Sequence, residues 1–507
     1  MSDSCNNLLA EPVLRVREES GATSILSLAS TFARLSRGHK IEFCALQAHQ
    51  QYAWHAFMVQ IAAIALHRES QSEPFESDDR WCDALIGLAG GTEAWSLVVP
   101  DVTRPAFLQP PVPEGSLEGF LIERYPDDLD VLVTAANHDV KRSRFRHASA
   151  EDWVYALVSL QTQQGYSGRF NFGIARMNTG IGNRPHVARA PGLGHAERFR
   201  RDLRACIGAR AAAVEHLGYA DEGGIALTWI SPWAGKSSIG LEELDPWFVE
   251  SCRRVRLVSE GGRFVAYRKG TDCRHVAYPE SNGDTSDPWT PVKRAKGSAL
   301  TISGAGFGYE LTQQLLLGGQ YTLGAAGESR PDDGIAPWFL AAAMARGKQP
   351  PSNGLHERLV YVPATVRPLL QTTGGRDRLR DRSERWVNLS KVAKQYVLSP
   401  ALSALLGEGD GSKRLCARFL SAMDCAIDDA FFEKLWATSA DENSVAEIAW
   451  ARELVHLARE TLATAIDTVP TRAADSYRVI ANAENIFKGC ARKRFPEAFA
   501  AAGGKAK

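Results

Sequence analysis

From Arg376 onward the chain carries no strand signal, only helical ones, and no other feature constrains its fold as much. The stretch RDRLRDRSERWVNLSKVAKQYVLSPALSALL has a helical period, with Pro400 as a kink or break, and Gly407, Gly409 and Gly411 end it. SKRLCARFLSAMDCAIDDAFFEKLWATSA reads as a second helix. Ser444 and Glu447 stand at capping-box spacing ahead of a third. In that helix Ile448, Ala451, Val455, Ala458, Leu462 and Ala465 recur three or four apart on one stripe. Pro470 stops it, and a fourth helix runs from near Arg472 to Arg494. Four helices on short connections predict an antiparallel bundle.

The preceding residues are mixed. Residues 8 to 40 alternate apolar and polar positions around a turn at Gly21, which predicts short strands and a first helix. Residues 41 to 68 predict a long, mostly buried helix, and LAGGTEAW and DVTRPAFLQPPVPEGS predict loops. Ser149 and Asp152 cap a helix through Trp153 to Gln164. From about 195 to 375, strand-like runs such as GIALTWISPW, RRVRLVS, RFVAYRK and RLVYVPATV alternate with short helices and turns, without a strict βαβ rhythm. The predicted fold class is therefore α+β: a large mixed α/β N-terminal domain over 1–375, then an all-α four-helix bundle over 376–507.

Composition narrows the function. The 507 residues hold 59 Lys and Arg against 59 Asp and Glu, so any pull on nucleic acid must come from local patches. Nine scattered cysteines form no CxxC pair, which argues against a cysteine zinc site and a secreted disulfide framework. The N-terminus is polar, and the apolar run from Phe57 to Leu66, broken by Gln60, is too short to span a bilayer. These features predict a cytoplasmic protein with no membrane partner.

Several motifs imitate catalytic or nucleotide-binding sites. AGKSS at 234 to 238 ends like a phosphate-binding loop, but Ile230 stands where the leading glycine is required. SGAGFGYELTQQ at 303 to 314 has Tyr309 in place of a third glycine, and reads as a tight strand-to-helix turn. His138-Asp139 lacks the further His and Asp ligands that a metal phosphohydrolase needs. GxSxG and HExxH are absent. The reading is a non-enzyme with no catalytic residue, metal ligand or cofactor assigned.

The basic stretches carry more. Residues 165 to 190, GYSGRFNFGIARMNTGIGNRPHVARA, hold Arg169, Arg176, Arg184 and Arg189 among glycines and aromatics, and no acid occurs from Trp153 to Ala196. Lys141, Arg142, Arg144 and Arg146 surround Phe145 just after Asn137 and His138. Arg200, Arg201 and Arg204 follow on a helix, and Lys293, Arg294 and Lys296 lie near Trp289. Glycine lets a backbone approach closely and donate from its N–H, arginine forks onto phosphate or enters a minor groove, and aromatics stack on bases. Taken singly, each patch is equally a solvated loop or a partner to acids elsewhere. The cluster at 137 to 204, with no internal acids in its middle, favours nucleic acid.

These blocks resemble the CasA family, the large subunit of the type I-E CRISPR surveillance complex Cascade. NNLLAEPVLRVREESGATSILSL is similar to that family's N-terminal leader, and RPAFLQPP at 104 to 111 to a further segment of it, with Phe107, Leu108 and Gln109 in place. NHDVK at 137 to 141, GYSGRFNFGIARMNTG, SDPWTPV, GFGYELTQQLLLGG and GLHERLVYVP follow in the family's order, ahead of a four-helix end. The resemblance implies a subunit without catalytic activity. It would recognise the motif flanking a double-stranded DNA target (the PAM) from the minor groove, start strand separation for a guide RNA to read, dock on other Cascade subunits and help recruit a helicase-nuclease.

It also implies site residues. The glycine loop falls on Gly168 to Gly173 with Arg169 and Asn171 groove-facing, and Arg176 lies just beyond. The nucleic-acid loop falls on Asn137, His138, Lys141 and Arg142. A glutamine hairpin falls just before Leu355, on Gln349 or Asn353, in a KQPPSN segment with two prolines. The family's groove-inserting lysine corresponds to Arg268, Lys269 or Lys293. Two other readings stay open on the residues alone: a nucleotide- or phosphate-using enzyme built around Gly304 to Gly308 with a helical accessory domain, and a scaffold whose basic loops bind only RNA or protein.

Overall fold

The computed structural model describes residues 6–130, 148–178, 184–277, 279–280, 282–328, 336–345, 354–468 and 476–499. The chain divides into two compact units, Met1–Phe307 with Gln320–Tyr361, and Gly308–Gly319 with Val362–Lys507. The α+β class holds. The second unit begins at Val362 rather than 376 and takes in the short helix Tyr309–Leu316, whose membership no local pattern reveals.

The first unit is organised around the helix Gln51–Arg68, which is buried on every side from Tyr52 to Leu66. A helix apolar all round has no solvent face and must sit inside. Its two buried polar residues mid-span are both satisfied: His55 meets Asp202 Oδ2, and Gln60 donates from Nε2 to the carbonyls of Trp247 and Phe248 at 3.0 and 2.9 Å. The predicted helix from 41 starts later, because Ile41–Phe43 pairs as a strand with Leu14–Glu18. Leu14 and Val16 are buried, Arg15 and Arg17 exposed, which is the alternation of a half-buried strand. The helix Ala150–Gln163 opens with the capping box of Ser149 and Asp152.

Small sheets surround these helices. Strand Arg254–Glu260 forms an antiparallel hairpin with Arg263–Lys269, which also pairs with Leu121–Glu123. Trp338–Ala345 lies between His186–Ala190 and Gly354–Tyr361, antiparallel to both. Ile225–Leu227 runs parallel to Leu244–Val249. No doubly wound sheet arises among the described residues, as the missing βαβ rhythm predicts.

The segment RPAFLQPP proves to be core structure. Phe107, Leu108 and Gln109 are fully buried. The Gln109 amide donates to the carbonyls of Leu97 and Phe107 and accepts from Leu257 N–H at 2.6 Å.

The second unit is helical. Its long elements are Thr373–Val392 with Ser399–Leu406, Asp410–Ala437, Asn443–Thr468 and Ser476–Arg494. A π-helical segment, Ala393–Leu398, precedes Pro400 and accommodates its missing N–H without ending the helix. The stripe read from the sequence is buried at Ala451, Val455, Ala458, Leu462 and Ala465, while Ile448 is only half-buried. Glu447 pairs with Arg385 instead of capping its own helix.

The centre of the bundle is aromatic. Trp386 and Trp450 stack with ring centres 4.6 Å apart and planes 4° from parallel, and Phe431 meets both edge-on. Buried Arg382 ties the turn between two helices, donating to the carbonyls of Thr438 and Asp441 and to Asn443 Oδ1. Replacing Trp450 by alanine should cost the protein about 3–5 kcal/mol, read as a loss in urea midpoint, whereas Trp450→Phe should lose less.

Candidate nucleic-acid interface

The glycine loop is a tight, exposed tip on a buried stem. Ser167 N–H donates to Asn171 O at 3.0 Å, and Asn171 N–H donates back to Gly168 O at 2.9 Å. Gly168 has φ +124°, a conformation that side chains rarely adopt, with open space where a Cβ would stand. Gly173 is required for a different reason. A Cβ there would lie 2.4 Å from the Gly165 carbonyl carbon, so the two arms of the loop touch through bare backbone.

Arginines brace this stem. Arg253 Nη2 donates to the carbonyls of Gly165 and Asn171 at 3.2 and 3.3 Å. Arg274 Nη1 donates to the carbonyls of Gly173 and Ile174, both at 2.8 Å. Arg268 donates to Asn171 Oδ1 at 3.2 Å and to Glu123 at 3.0 Å. Ala175 N–H reaches both Glu250 oxygens. Burial pushes that carboxyl up to about 7 against the pull of the Ala175 N–H and of Arg176, Arg274 and Arg184. Nothing in the sequence marks these braces, since RRVRLVS reads only as a strand.

Tyr166, Ser167, Arg169 and Phe170 are exposed at the tip. The Arg169 guanidinium lies over the Phe170 ring, 4.8 Å from its centre, and no described carboxylate is within ion-pair distance of it. Lys269 is brought beside the tip, since Thr271 N–H donates to Phe170 O at 2.9 Å. The Lys269 ammonium lies 5.2 Å from the centre of the Phe120 ring. Asn171 is half-buried, and its side chain serves the loop itself through Arg268 and, at 3.4 Å, the Arg169 carbonyl. Lys293 stands on a separate sheet, paired with Ser298 and Tyr321. Asn137, His138, Lys141, Arg142, Gln349 and Asn353 lie outside the described residues.

Arg176 requires a correction. It is 1% exposed and belongs to the core. Its guanidinium covers the Phe248 ring at 3.9 Å, donates to Phe248 O at 2.7 Å and sits 3.5 Å from Asp287 Oδ2. Arg184 reaches the same oxygen at 2.7 Å, and Arg189 donates to Gly327 O at 3.2 Å. Arg201 is likewise buried, paired with Asp202 at 3.1 Å, while Arg200 and Arg204 are exposed. The stretch from Trp153 to Ala196 lacks acids because Asp287, far along the chain, supplies one.

The other candidate chemistries meet packing explanations. Gly306 has φ +64°, and a Cβ on it would lie 2.6 Å from His356 Nδ1, so a side chain stands where a dinucleotide fingerprint needs room. His55, His186 and Asp202 hold ligand-type atoms within 4.8 Å of one another. His55 Nε2 and the Trp289 indole N–H both meet Asp202 Oδ2 at 2.9 Å, and Arg198 lies 3.5 Å from His186 Nε2. Hydrogen bonds thus already use these atoms, and the adjacent guanidiniums oppose a dication.

Asp287 carries the sharpest stability consequence. Burial disfavours its charge, but Arg184, Arg176 and the Trp289 N–H override this and hold the carboxyl below its usual range. A depressed carboxylate stabilises the fold above its unfolded pKa of about 3.9, and the contribution is lost as pH falls through the folded value. Asp287→Asn should therefore cost about 3–5 kcal/mol at neutral pH by leaving two buried guanidiniums without a counter-charge. The gap to wild type should narrow below about pH 4 in acid titrations of unfolding.

No protein-family model and no curated protein matches the sequence. Solved structures do. CasA of Thermus thermophilus superposes with a TM-score of 0.63 at 17% identity, over 97% of this chain and 99% of that one. Cse1 of Thermobifida fusca gives 0.64 at 14% identity, over 98% and 100%. A chain of a CRISPR RNA-guided surveillance complex gives 0.55 at 13% identity, over 95% and 99%. Over almost its whole length, this chain has the fold of the CasA (Cse1) proteins.

Proposed function

We propose that the chain is the large subunit of an RNA-guided type I-E Cascade complex, reading the motif that flanks a duplex DNA target from the minor groove. The observation that carries this reading is the braced, exposed tip at Ser167–Phe170 on a chain of CasA fold. Minor-groove base patterns are degenerate, so contact there relies on close backbone approach and on arginine rather than on a rich donor code. A tip of main chain and one guanidinium without a described carboxylate partner supplies both. The remaining parts of the proposal are that Lys141 and Arg142 hold phosphates and that Lys269 or Lys293 follows the tip into the groove. Gln349 or Asn353 would stand in the hairpin beside them. The helical unit docks on the other subunits and guide RNA, and the assembled complex recruits a helicase-nuclease in the cytoplasm. This role asks no bond-making chemistry of the chain itself. No helix among the described residues is long and apolar enough to cross a membrane.

The test is a complex reconstituted with guide RNA and partner subunits, bound to duplex targets whose flanking bases are randomised. Gly168→Asp forces a side chain into φ +124° and faces DNA with a carboxylate; it should abolish flank preference while the complex still assembles. Arg169→Ala should weaken binding about tenfold. Alanine at both Lys141 and Arg142 should weaken binding evenly across flanks and lower the salt slope by about 2. Unchanged flank preference in Gly168→Asp would remove the loop from the mechanism, and a thermal shift with nucleotides instead of DNA binding would favour the phosphate-using enzyme.

A further inference from the structure

A cavity of about 680 Å³ lies in the first unit, between the strand Ile41–Phe43 and residues 193–197 at the start of the helix His195–Leu217. That strand is an edge of its sheet, whose order is Thr23–Leu26, Leu14–Glu18, Ile41–Phe43. In an antiparallel pair, residues alternate between those that exchange bonds with the partner strand and those whose groups point the other way. Cys44 N–H donates to Arg15 O at 2.9 Å, so in this register Glu42 also faces inward, opposite Arg17. The main-chain groups of Ile41 and Phe43 therefore point out of the open edge, and both residues line the cavity. Among the described residues, no hydrogen bond is formed to those groups.

The walls suit an extended segment. Leu46 and Ala196 line the cavity, and Leu193, 44% exposed, stands on the side away from the strand. His195 meets the Phe43 ring edge-on with ring centres 5.0 Å apart. An open edge bordered by apolar side chains gives an added strand main-chain hydrogen bonds and places for its alternate side chains. Shortness guards this edge against indiscriminate pairing, and the groove beside it selects what can pair.

The charges of the lining decide the occupant. Two cations, Arg17 and Lys40, stand against four carboxylates, Glu18, Glu19, Glu42 and Glu197. Arg17 pairs with Glu42 at 3.8 Å, Lys40 with Glu19 at 2.7 Å, and Glu18 with Arg34 at 3.3 Å. Glu197 is exposed, and no described cation lies within ion-pair distance of it. The lining is net negative with one carboxylate left over. It repels a phosphate backbone and attracts a lysine or arginine.

We infer that this groove takes an extended segment of a neighbouring protein subunit, one that carries lysine or arginine and adds to Ile41–Phe43 as a further strand. The inference rests on the reading proposed above, because that assembly supplies the neighbour. It gives the first unit a protein-docking surface distinct from the tip at 166–170.

The experiment compares the full chain alone with the complex reconstituted from guide RNA and partner subunits, reading amide hydrogen exchange residue by residue. Exchange at Ile41 and Phe43 should slow at least about tenfold on assembly, while Glu42, already bonded inward, should change little. Leu193→Lys and Glu197→Lys alter exposed side chains, so each free variant should melt within about 2 °C of wild type. Each should enter the complex about tenfold more weakly, and Leu193→Met should enter normally. The Glu197→Lys loss should shrink in high salt, where charge is screened, and the Leu193→Lys loss should persist in part.

Unchanged exchange at Ile41 and Phe43 in the complex overturns the inference. So does normal entry of either lysine variant. Slowed exchange with guide RNA alone, before any partner subunit is added, would give the groove to RNA and overturns it as well. A wild-type chain that enters no complex would instead bring down the proposed function itself, an outcome that the wild-type arm alone reports.

Discussion

A guanidinium can leave water only where acceptors meet its N–H groups, and the first unit depends on satisfying that condition repeatedly. Arg176 and Arg184 converge on Asp287, Arg210 on Asp245, and Arg201 on Asp202. Arg253 and Arg256 have no carboxylate contact among the described residues and rely mostly on carbonyls instead: Arg256 Nη2 donates to Val99 O at 3.0 Å and Asp101 O at 3.2 Å. One side chain thus fastens segments far apart in sequence, Arg201 doing so through the carbonyls of Ala326 and Glu328. Loops with few backbone partners of their own become parts of a rigid body. Burying these charges adds little net stability, but losing any one acceptor is expensive, so the network specifies one arrangement more than it strengthens it.

The tip at 166–170 follows from this. Most loops are mobile because nothing beneath them fixes the backbone. Here Arg253, Arg268 and Arg274 act from below on the carbonyls and on Asn171, and the Gly165–Gly173 approach closes the neck. The order that a binding loop normally acquires on contact is already present, which under the proposed reading lowers the entropic cost of association. It also allows a non-glycine residue, Phe170, to persist at a positive φ that a free loop would relax.

Much of this architecture is written locally in the sequence, and the exceptions share one physical cause. The all-apolar run within 51–68, the Ser149–Asp152 box and the stripe from Ala451 to Ala465 are short-range patterns, and each forms as read. The burial of Arg176 and Arg184 is invisible locally because their counter-ion lies more than a hundred positions away, beyond the reach of any local charge count. The same limit hides Arg253 within a strand-like run and hides the helix Tyr309–Leu316, which leaves its neighbours to join the second unit. At the candidate site the glycines and Arg169 were legible, as residue types suited to close approach. The conformation of Phe170 was not, because a backbone held by Thr271 and Gly270 leaves no trace in the residues around it.

The charge balance of the chain then takes on a specific meaning. Most of the arginines in the acid-free stretch and the helix after it are buried inside the protein, and Arg169 is the one at the tip that is exposed. Counter-ion release scales with the number of phosphates neutralised, so under the proposed reading the tip itself contributes only weak attachment to duplex DNA. Opening a base step costs a few kcal/mol and needs attachment that outlasts the attempt. Under the proposed reading such a tip is suited to testing the flank, not to holding the helix while it does so. Under the proposed reading the holding belongs to the assembly, through the helical unit and the partner subunits. Separating grip from recognition in this way keeps non-specific affinity low, because a tip that finds the wrong flank has little else by which to stay.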